Sequence, residues 1–213
     1  MALFQRQQPI NQSYQLYTLG QHKTILVVGL GNIGEKYDGT RHNVGFGAVD
    51  YFASLALFGP WTTKSNLRCE FTSNTMADKQ VIIIKPTTFM NASGEAVHAV
   101  MQFFKIPDED VVVVHDELDI PFGQIRSRVG GRSAGHNGLE SIIQHIGENF
   151  GRIRIGIKSD KSEKTDSVKF VLAKFSKEEQ DQIDALNKEV AAMLSEDIYS
   201  STSLPAETRS FLL

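Results

Sequence analysis

Polar side chains recur where the sequence predicts that strands end. In an α/β sheet the loops beyond the carboxyl ends of the strands meet in one crevice, so we expect these side chains to converge. A His held by a carboxylate can deprotonate water, and Asn amides can bind a carbonyl oxygen or a developing oxyanion. The predicted chemistry is direct attack of water on an activated carbonyl such as an ester. The residues concerned are Asn32 and His42, Asn91, Asp116, and His136 with Asn137.

Covalent catalysis and metal catalysis are both disfavoured. The sequence predicts no exposed serine nucleophile elbow of the G-x-S-x-G kind, and its single cysteine, Cys69, lies in a strand-like stretch without a nucleophile signature. The run from His115 to Asp119 contains metal-ligand residue types. A compact run at a strand end cannot easily direct three side chains at one ion, however. We therefore expect neither a metal nor a cofactor.

A glycine motif follows the first apolar run in the spacing Gly29-x-Gly31-x-x-Gly34. A dinucleotide-binding turn of this kind needs a helix that starts at the glycines and an acidic residue about 20 positions on. Neither is present, because the first pattern of 3.6-residue period begins only after Asn43. The glycines are therefore predicted to end a strand and to let Asn32 face the cleft.

Predicted strands and helices alternate along the chain. This pattern indicates a single α/β domain over residues 23–213, with a twisted, mostly parallel mixed central sheet and helices on both faces. Strands 67–74 and 80–85 are expected to be antiparallel because no helix separates them. The other strands are predicted at 24–30, 111–114, 125–129 and 152–157, and helices at 44–58, after 91, after 138 and after the capping box Ser176–Glu179.

The composition is that of an ordinary globular protein, and no apolar run approaches the roughly 20 residues that span a bilayer. A single cysteine suits a reducing compartment. We expect a cytoplasmic monomer without a membrane segment. Residues 1–22 lack both periodicity and the apolar core of a secretory signal, which indicates a flexible extension and leaves an organellar leader as the alternative.

Basic residues are concentrated in one part of the chain. The segment from Pro121 to Lys158 carries six Arg or Lys against two Glu, a net +4 in a chain of net charge −3. Such a local patch is expected of a protein that contacts a limited length of phosphate backbone. The competing interpretation of this basic segment is that its charges are solvated and protect the edge of the sheet from aggregation.

Several motifs together resemble the bacterial-type peptidyl-tRNA hydrolases, in the same order and approximate spacing, over about residues 24–208. The family implies an esterase that separates the peptide from tRNA, with peptidyl-tRNA as its partner. The motifs are Gly29-Leu-Gly-Asn-Ile-Gly34, Thr40-Arg-His-Asn43, Pro86-Thr-Thr-Phe-Met-Asn91, His115-Asp-Glu-Leu-Asp119, Gly135-His-Asn-Gly138 and Arg154-Ile-Gly-Ile157.

Residue roles follow from this resemblance. It implies that His42 is the general base, that Asp116 orients and polarises it, and that Asn91 holds the water and stabilises the oxyanion. A relative that binds RNA without catalysis is the alternative, and it is disfavoured because these residues are retained. The remaining implied site residues are Asn32, Asn137, His136, Met90 and Tyr37 for the substrate, and Arg128, Arg154 and Arg132 for tRNA phosphate.

The sequence departs from the family pattern at two places. Ile33 stands where the family usually has proline, so the loop that presents Asn32 loses a fixed φ angle. Residues 132–134, Arg-Ser-Ala, stand where the family is usually richer in glycine, which affects the path of the loop before His136. We expect the replacement of proline by Ile33 to have only a small effect on the loop that presents Asn32.

Overall fold

The structure is a computed structural model that describes residues 23–160, 162 and 165–212. The extension expected over residues 1–22 lies outside this range. The strands are β1 (Thr24–Gly29), β2 (Thr62–Lys64), β3 (Cys69–Met76), β4 (Lys79–Pro86), β5 (Val111–Pro121), β6 (Gln124–Val129), β7 (Gly151–Lys158) and β8 (Glu207–Ser210). The helices are α1 (Val44–Leu55), α2 (Ser93–Phe104), α3 (Asn137–Ile146), α4 (Ser167–Val171), α5 (Lys177–Gln180) and α6 (Ile183–Tyr199).

The strands form one mixed sheet in the order β2-β3-β4-β1-β5-β7-β6-β8. The central strands β4, β1, β5 and β7 are parallel to one another. Strands β3 and β6 run opposite to the others, and β3 pairs with β4 in the antiparallel way expected from the short link between them. The mixed α/β architecture predicted from the sequence is therefore confirmed.

Helices cover both faces of the sheet, as predicted. The central strands are apolar on both faces, as in Leu26, Val27 and Val28 of β1, each with 0% of its surface exposed. Such strands need a layer on each side to bury them. Residues of α1 and α6 pack on one face and residues of α2 and α3 on the other. The carboxyl ends of the parallel strands are left open to build a site.

The structure differs from the sequence prediction mainly in the length of β5. The prediction ended this strand at Val114, whereas β5 continues to Pro121 because it stays paired with β7 beyond the valines, with His115 opposite Arg154 and Asp116 opposite Ile155. Asp116 therefore lies inside a strand and not in a loop after it. None of the helices in the described ranges is long and apolar enough to cross a membrane.

Candidate active site

A cleft of about 450 Å³ opens at the carboxyl ends of the central strands. The loop before α3 forms one wall of the cleft, and α4 forms the other. The polar side chains that follow separate strands and loops in the sequence meet here, as predicted. Of the predicted site residues, those that line the cleft are Asn32, His42, Met90, Asn91, Asp116, His136 and Asn137.

His42 and Asp116 form a buried pair at this cleft. His42 Nδ1 lies 2.9 Å from Asp116 Oδ1 and 3.1 Å from Oδ2, and the two residues are 8% and 3% exposed. Burial alone would raise the pKa of the Asp116 carboxyl, but the adjacent imidazoles of His136 and His42 hold that pKa well below its ordinary value. Ionised Asp116 only accepts hydrogen bonds, so His42 donates from Nδ1, and the neutral form of its ring then carries its lone pair on Nε2.

His136 is the second imidazole bound to Asp116. Its Nε2 lies 3.0 Å from Asp116 Oδ1, while its Nδ1 accepts the backbone N–H groups of Gly138 and Leu139 at the start of α3. Because Nδ1 accepts, the proton of the neutral ring is on Nε2, from which it donates to Asp116. Both polar atoms of His136 are thus engaged within the protein, and the residue connects α3 to the His42–Asp116 pair.

The same three residues have metal-ligand side chains. Their ligand atoms, in His42, Asp116 and His136, lie within 4.8 Å of one another. Two imidazoles and a carboxylate suit a divalent transition metal. The tautomer that caps α3, however, leaves no lone pair on Nε2 of His136. Metal binding there would require the proton to move to Nδ1 and would break the helix cap, so the arrangement fits a hydrogen-bonded network better than a metal site.

Asn32 lies in the glycine loop after β1, and the side chain of a second asparagine, Asn43, holds its backbone in place at the cleft. Asn43 Oδ1 accepts the backbone N–H of Asn32 and Asn43 Nδ2 donates to the carbonyl of Asn32, both at 2.9 Å. Asn32 Oδ1 in turn accepts the backbone N–H of Met90 at 2.9 Å. Gly34 adopts φ +105°, which a residue with a side chain rarely reaches. The loop after β1 is therefore fastened both to the His42 segment and to the segment that carries Asn91.

Arg41 anchors the segment that carries His42. Its Nη2 bonds to Glu179 Oε2 at 2.6 Å, and its guanidinium lies over the ring of Phe170, 4.3 Å from the centroid. Nη1 donates to the backbone carbonyl of Lys174 at 2.8 Å. Arg41 is 3% exposed, so this paired charge is almost completely removed from water. The fixed position of His42 thus depends on contacts with the segment around α4 and α5.

The amides predicted to bind substrate are available. The side chains of Asn91 and Asn137 line the cleft and make no hydrogen bond within the part of the chain that the structure describes. Met90, 4% exposed, forms a wall of the cleft, close to Gly138. Amide donors and acceptors without a protein partner beside a His–Asp pair are suited to bind the polar groups of a substrate.

Tyr37 stands apart from this group. It lies in a short 3₁₀ turn over Glu35–Tyr37, half-buried, and is not among the residues that line the cleft. The ammonium of Lys36 lies 4.8 Å from the centroid of its ring. The structure therefore places Tyr37 on the surface next to the glycine loop, where a longer substrate could reach it.

The predicted phosphate-binding arginines lie beside the cleft on β6 and β7 and in the loop after β6. Arg132 is exposed and Arg128 is partly exposed. Arg154 is already paired, because its Nε and Nη2 both bond to Glu117 Oε2, at 3.1 and 3.0 Å. Arg152, counted in the basic segment, is completely buried and donates to the carbonyls of Gly131 and Arg132. Arg152 thus supports a loop and does not add to the surface charge.

Sequence reasoning missed the structural roles of Asn43, Glu117 and Arg152. Asn43 lies in the Thr40–Asn43 motif, but the sequence does not show that its side-chain amide pairs with the backbone of Asn32, because this pairing depends on how the two loops align. Arg152 and Arg154 alternate with apolar residues, which predicted a shared face but not their different exposure.

A second cavity, of about 510 Å³, lies on the other side of the Thr40–Val44 segment and includes the Asp50–Lys85 ion pair. It does not contain the His–Asp network.

Known proteins resemble this chain over most of its length. The family model described as peptidyl-tRNA hydrolase matches residues 26–209. A peptidyl-tRNA hydrolase of Levilactobacillus brevis is 45% identical over 170 residues, 79% of this chain and 90% of that protein. One from Aliarcobacter butzleri is 44% identical over 163 residues, 76% of this chain and 86% of the relative.

Solved structures agree with this result. The crystal structure of peptidyl-tRNA hydrolase from Acinetobacter baumannii superposes with a TM-score of 0.71 at 32% identity, covering 87% of this chain and 100% of the other. The mixed sheet and the His–Asp cleft at its edge define an α/β enzyme of the hydrolase class. The chain belongs to the peptidyl-tRNA hydrolase family.

Proposed function

We propose that this enzyme hydrolyses the ester between the peptide and the 3′ end of tRNA in peptidyl-tRNA, releasing free peptide and reusable tRNA. The observation that carries the proposal is the His42–Asp116 pair at a cleft whose amides, those of Asn91 and Asn137, have no hydrogen-bond partner among the described residues. Membership of the family supports the choice of substrate. We propose further that the protein acts as a cytoplasmic monomer. Its own side chains complete a water-activating site, so the proposed reaction uses neither a metal nor a cofactor.

In the proposed reaction His42 acts as the general base. Its Nε2 lone pair accepts a proton from water while the water oxygen attacks the ester carbonyl carbon. The resulting imidazolium is stabilised by ionised Asp116, which holds the ring through Nδ1. Collapse of the tetrahedral intermediate then breaks the bond to the ribose oxygen, which takes the proton from His42. No covalent enzyme intermediate is needed.

The amides at the cleft are proposed to bind the rest of the reacting group. Asn91 holds the attacking water and donates to the oxyanion, a contribution of about 10²–10³-fold for one well-placed donor. Asn32 and Asn137 bind the peptide beside the ester, against the wall formed by Met90. His136 acts through Asp116, since its ring nitrogens are both engaged, and touches the substrate with its ring only.

We propose that the tRNA is held outside the cleft. Arg128, Arg132 and Arg154 lie on one side of it and supply the positive charge that phosphate oxygens require. Tyr37, on the surface beside the glycine loop, would contact the 3′-terminal nucleotide. Aromatic rings bind unstacked bases in this manner in many RNA-binding proteins.

The substrate is tested by comparing N-acetyl-aminoacyl-tRNA with the same aminoacyl-tRNA left unblocked. We expect the purified protein to release the blocked ester at least about tenfold faster, because a free ammonium would be poorly solvated where the amide is bound. Equal rates on the two esters would contradict the proposed recognition of the peptide. Tight binding of tRNA without any ester cleavage would support the alternative of an RNA-binding relative without catalysis.

A further inference from the structure

Four arginines share one face of the sheet beside the cleft. Arg126 lies opposite Arg154, and Arg128 lies opposite Arg152, in the antiparallel register of β6 and β7. Residues opposite each other, or two apart along a strand, point to the same face. The four guanidinium groups therefore lie near one another, and like charges at this distance repel.

Two of these arginines are held by backbone contacts. Arg152 is completely buried and donates to loop carbonyls, and its guanidinium lies 4.5 Å from the centroid of the Phe150 ring. Arg128 lies against Gly131, in the space that a Cβ atom would occupy, and its Nε is buried without a hydrogen-bond partner in the described structure. Burial and the neighbouring Arg154 both lower the pKa of Arg128. This guanidinium would gain from an additional acceptor.

Glu117 supplies a carboxylate to this cluster. Two donor nitrogens of Arg154, Nε and Nη2, bond to Oε2 of Glu117, and Oε1 of Glu117 accepts the backbone N–H of Asp119 at 3.4 Å. The side chains of Arg154 and Glu117 are only 15% and 8% exposed. Glu117 also lines the cleft, directly after Asp116. The carboxylate occupies one of the two pairs of donors through which the guanidinium can bind a phosphate, and its negative charge offsets that of Arg154.

We propose that Glu117 competes with tRNA phosphate for Arg154. The phosphate must displace the Glu117 carboxylate before it can bind at Nε and Nη2 of Arg154. This inference rests on the role proposed above for Arg154. The phosphate gains the fork formed by Nε and Nη2 only when Arg154 gives up its carboxylate, so the net gain is smaller than at Arg128, to which no carboxylate of the described residues is hydrogen-bonded. Glu117 thereby weakens binding of polyanions in general and favours release of the tRNA product.

The test is binding of deacylated tRNA to the full-length protein by fluorescence anisotropy over a series of salt concentrations. We expect Glu117→Gln, which keeps an acceptor of the same shape, to bind about three- to tenfold more tightly than wild type. The plot of log K against log salt should become steeper by about one unit, because Arg154 then contributes its full charge. Thermal unfolding measured in parallel shows that the variant is folded.

Asp119→Asn is the matched control, because it removes the same charge from an exposed residue that lines the same cleft. The same affinity and slope for Glu117→Gln and Asp119→Asn would overturn the proposal. If Glu117→Gln fails to fold, Arg154→Ala tests it in the wild-type background, where it should cost less affinity than Arg128→Ala. An equal or larger cost would also overturn it. Neither result bears on ester cleavage, so the proposed function can stand if this inference fails.

Discussion

At the scale of single residues, the side chain of Asn43 determines the position of two parts of the candidate site. Its amide pairs with both the N–H and the carbonyl of Asn32, in the way that one strand pairs with another. Asn32 then accepts the N–H of Met90, which directly precedes Asn91. Each hydrogen bond of this kind contributes about 1 kcal/mol net, and more is lost when its buried partner is left unpaired.

Asn43→Ala therefore should lower both stability and activity. We expect the free energy of unfolding to fall by about 2 kcal/mol, because two buried backbone groups of Asn32 lose their partners. We expect kcat to fall roughly tenfold, because Asn32 and Asn91 are no longer fixed beside His42. Denaturant unfolding and single-turnover ester cleavage measure the two effects.

The control for this prediction is Asn74→Ala. Asn74 also bonds a backbone carbonyl, that of Ala56, at 3.1 Å, but neither residue lines the cleft. Its loss should reduce stability and leave the rate on N-acetyl-aminoacyl-tRNA unchanged. If Asn43→Ala retains the wild-type rate while it is destabilised, the amide of Asn43 stabilises the fold only and does not position the site.

At the scale of elements, the sequence predicted the long, periodic segments well. The four buried strands of the parallel centre, the antiparallel partner β3, and helices α1, α2 and α3 are all found near their predicted positions. Their patterns are strong because each buries an apolar face over many residues. The convergence of polar residues at one edge of the sheet followed from this alternation alone.

The length of β5 could not be predicted in the same way. His115, Asp116 and Glu117 are charged or polar, and such residues usually mark the end of a buried strand. In the fold all three are buried, because β7 pairs with them. The carboxylates of Asp116 and Glu117 find partners in His42, His136 and Arg154, and His115 Nδ1 donates to the carbonyl of Asp116. Tertiary contacts override the local pattern here, and they give Asp116 the rigidity of a strand.

Short elements also escaped the sequence analysis. Helix α4 spans only Ser167–Val171, and strands β2 and β8 have three and four residues, so none is long enough to show a period. The capping box at Ser176 was predicted correctly, but the helix it opens stops at Gln180 before α6 begins at Ile183. No glycine or proline marks this break in the sequence. The missed α4 is the element that forms a wall of the cleft.

At the scale of the whole molecule, the buried polar network makes the stability of the fold dependent on pH. His115 is 1% exposed, and its Nδ1 donates to the carbonyl of Asp116. Burial, together with the nearby His136, lowers the pKa of His115 well below its ordinary value. The unfolded chain can therefore take up a proton at this residue under conditions where the folded chain does not.

This difference predicts a loss of stability on mild acidification. Because the unfolded state binds more protons below about pH 6.5, the free energy of unfolding falls as the pH decreases through that value. Between pH 7.5 and 5.5 His115 should contribute a loss of about 1 kcal/mol. The measurement is denaturant unfolding at the two pH values.

His115→Asn provides the comparison, since its amide can still donate to the Asp116 carbonyl but does not titrate. The loss between pH 7.5 and 5.5 should be smaller in this variant by about 1 kcal/mol. A loss of the same size in both proteins would mean that other groups cause the pH dependence.

The central claim is that His42, held by Asp116, activates the water that cleaves the ester. It is tested most directly by the rate at which His42→Ala releases N-acetyl-amino acid from tRNA, with His98→Ala, an exposed histidine on α2, as the control. We expect a fall of at least about 10²-fold for His42→Ala with tRNA binding retained, and a wild-type rate for His98→Ala. A full rate in folded His42→Ala would contradict it.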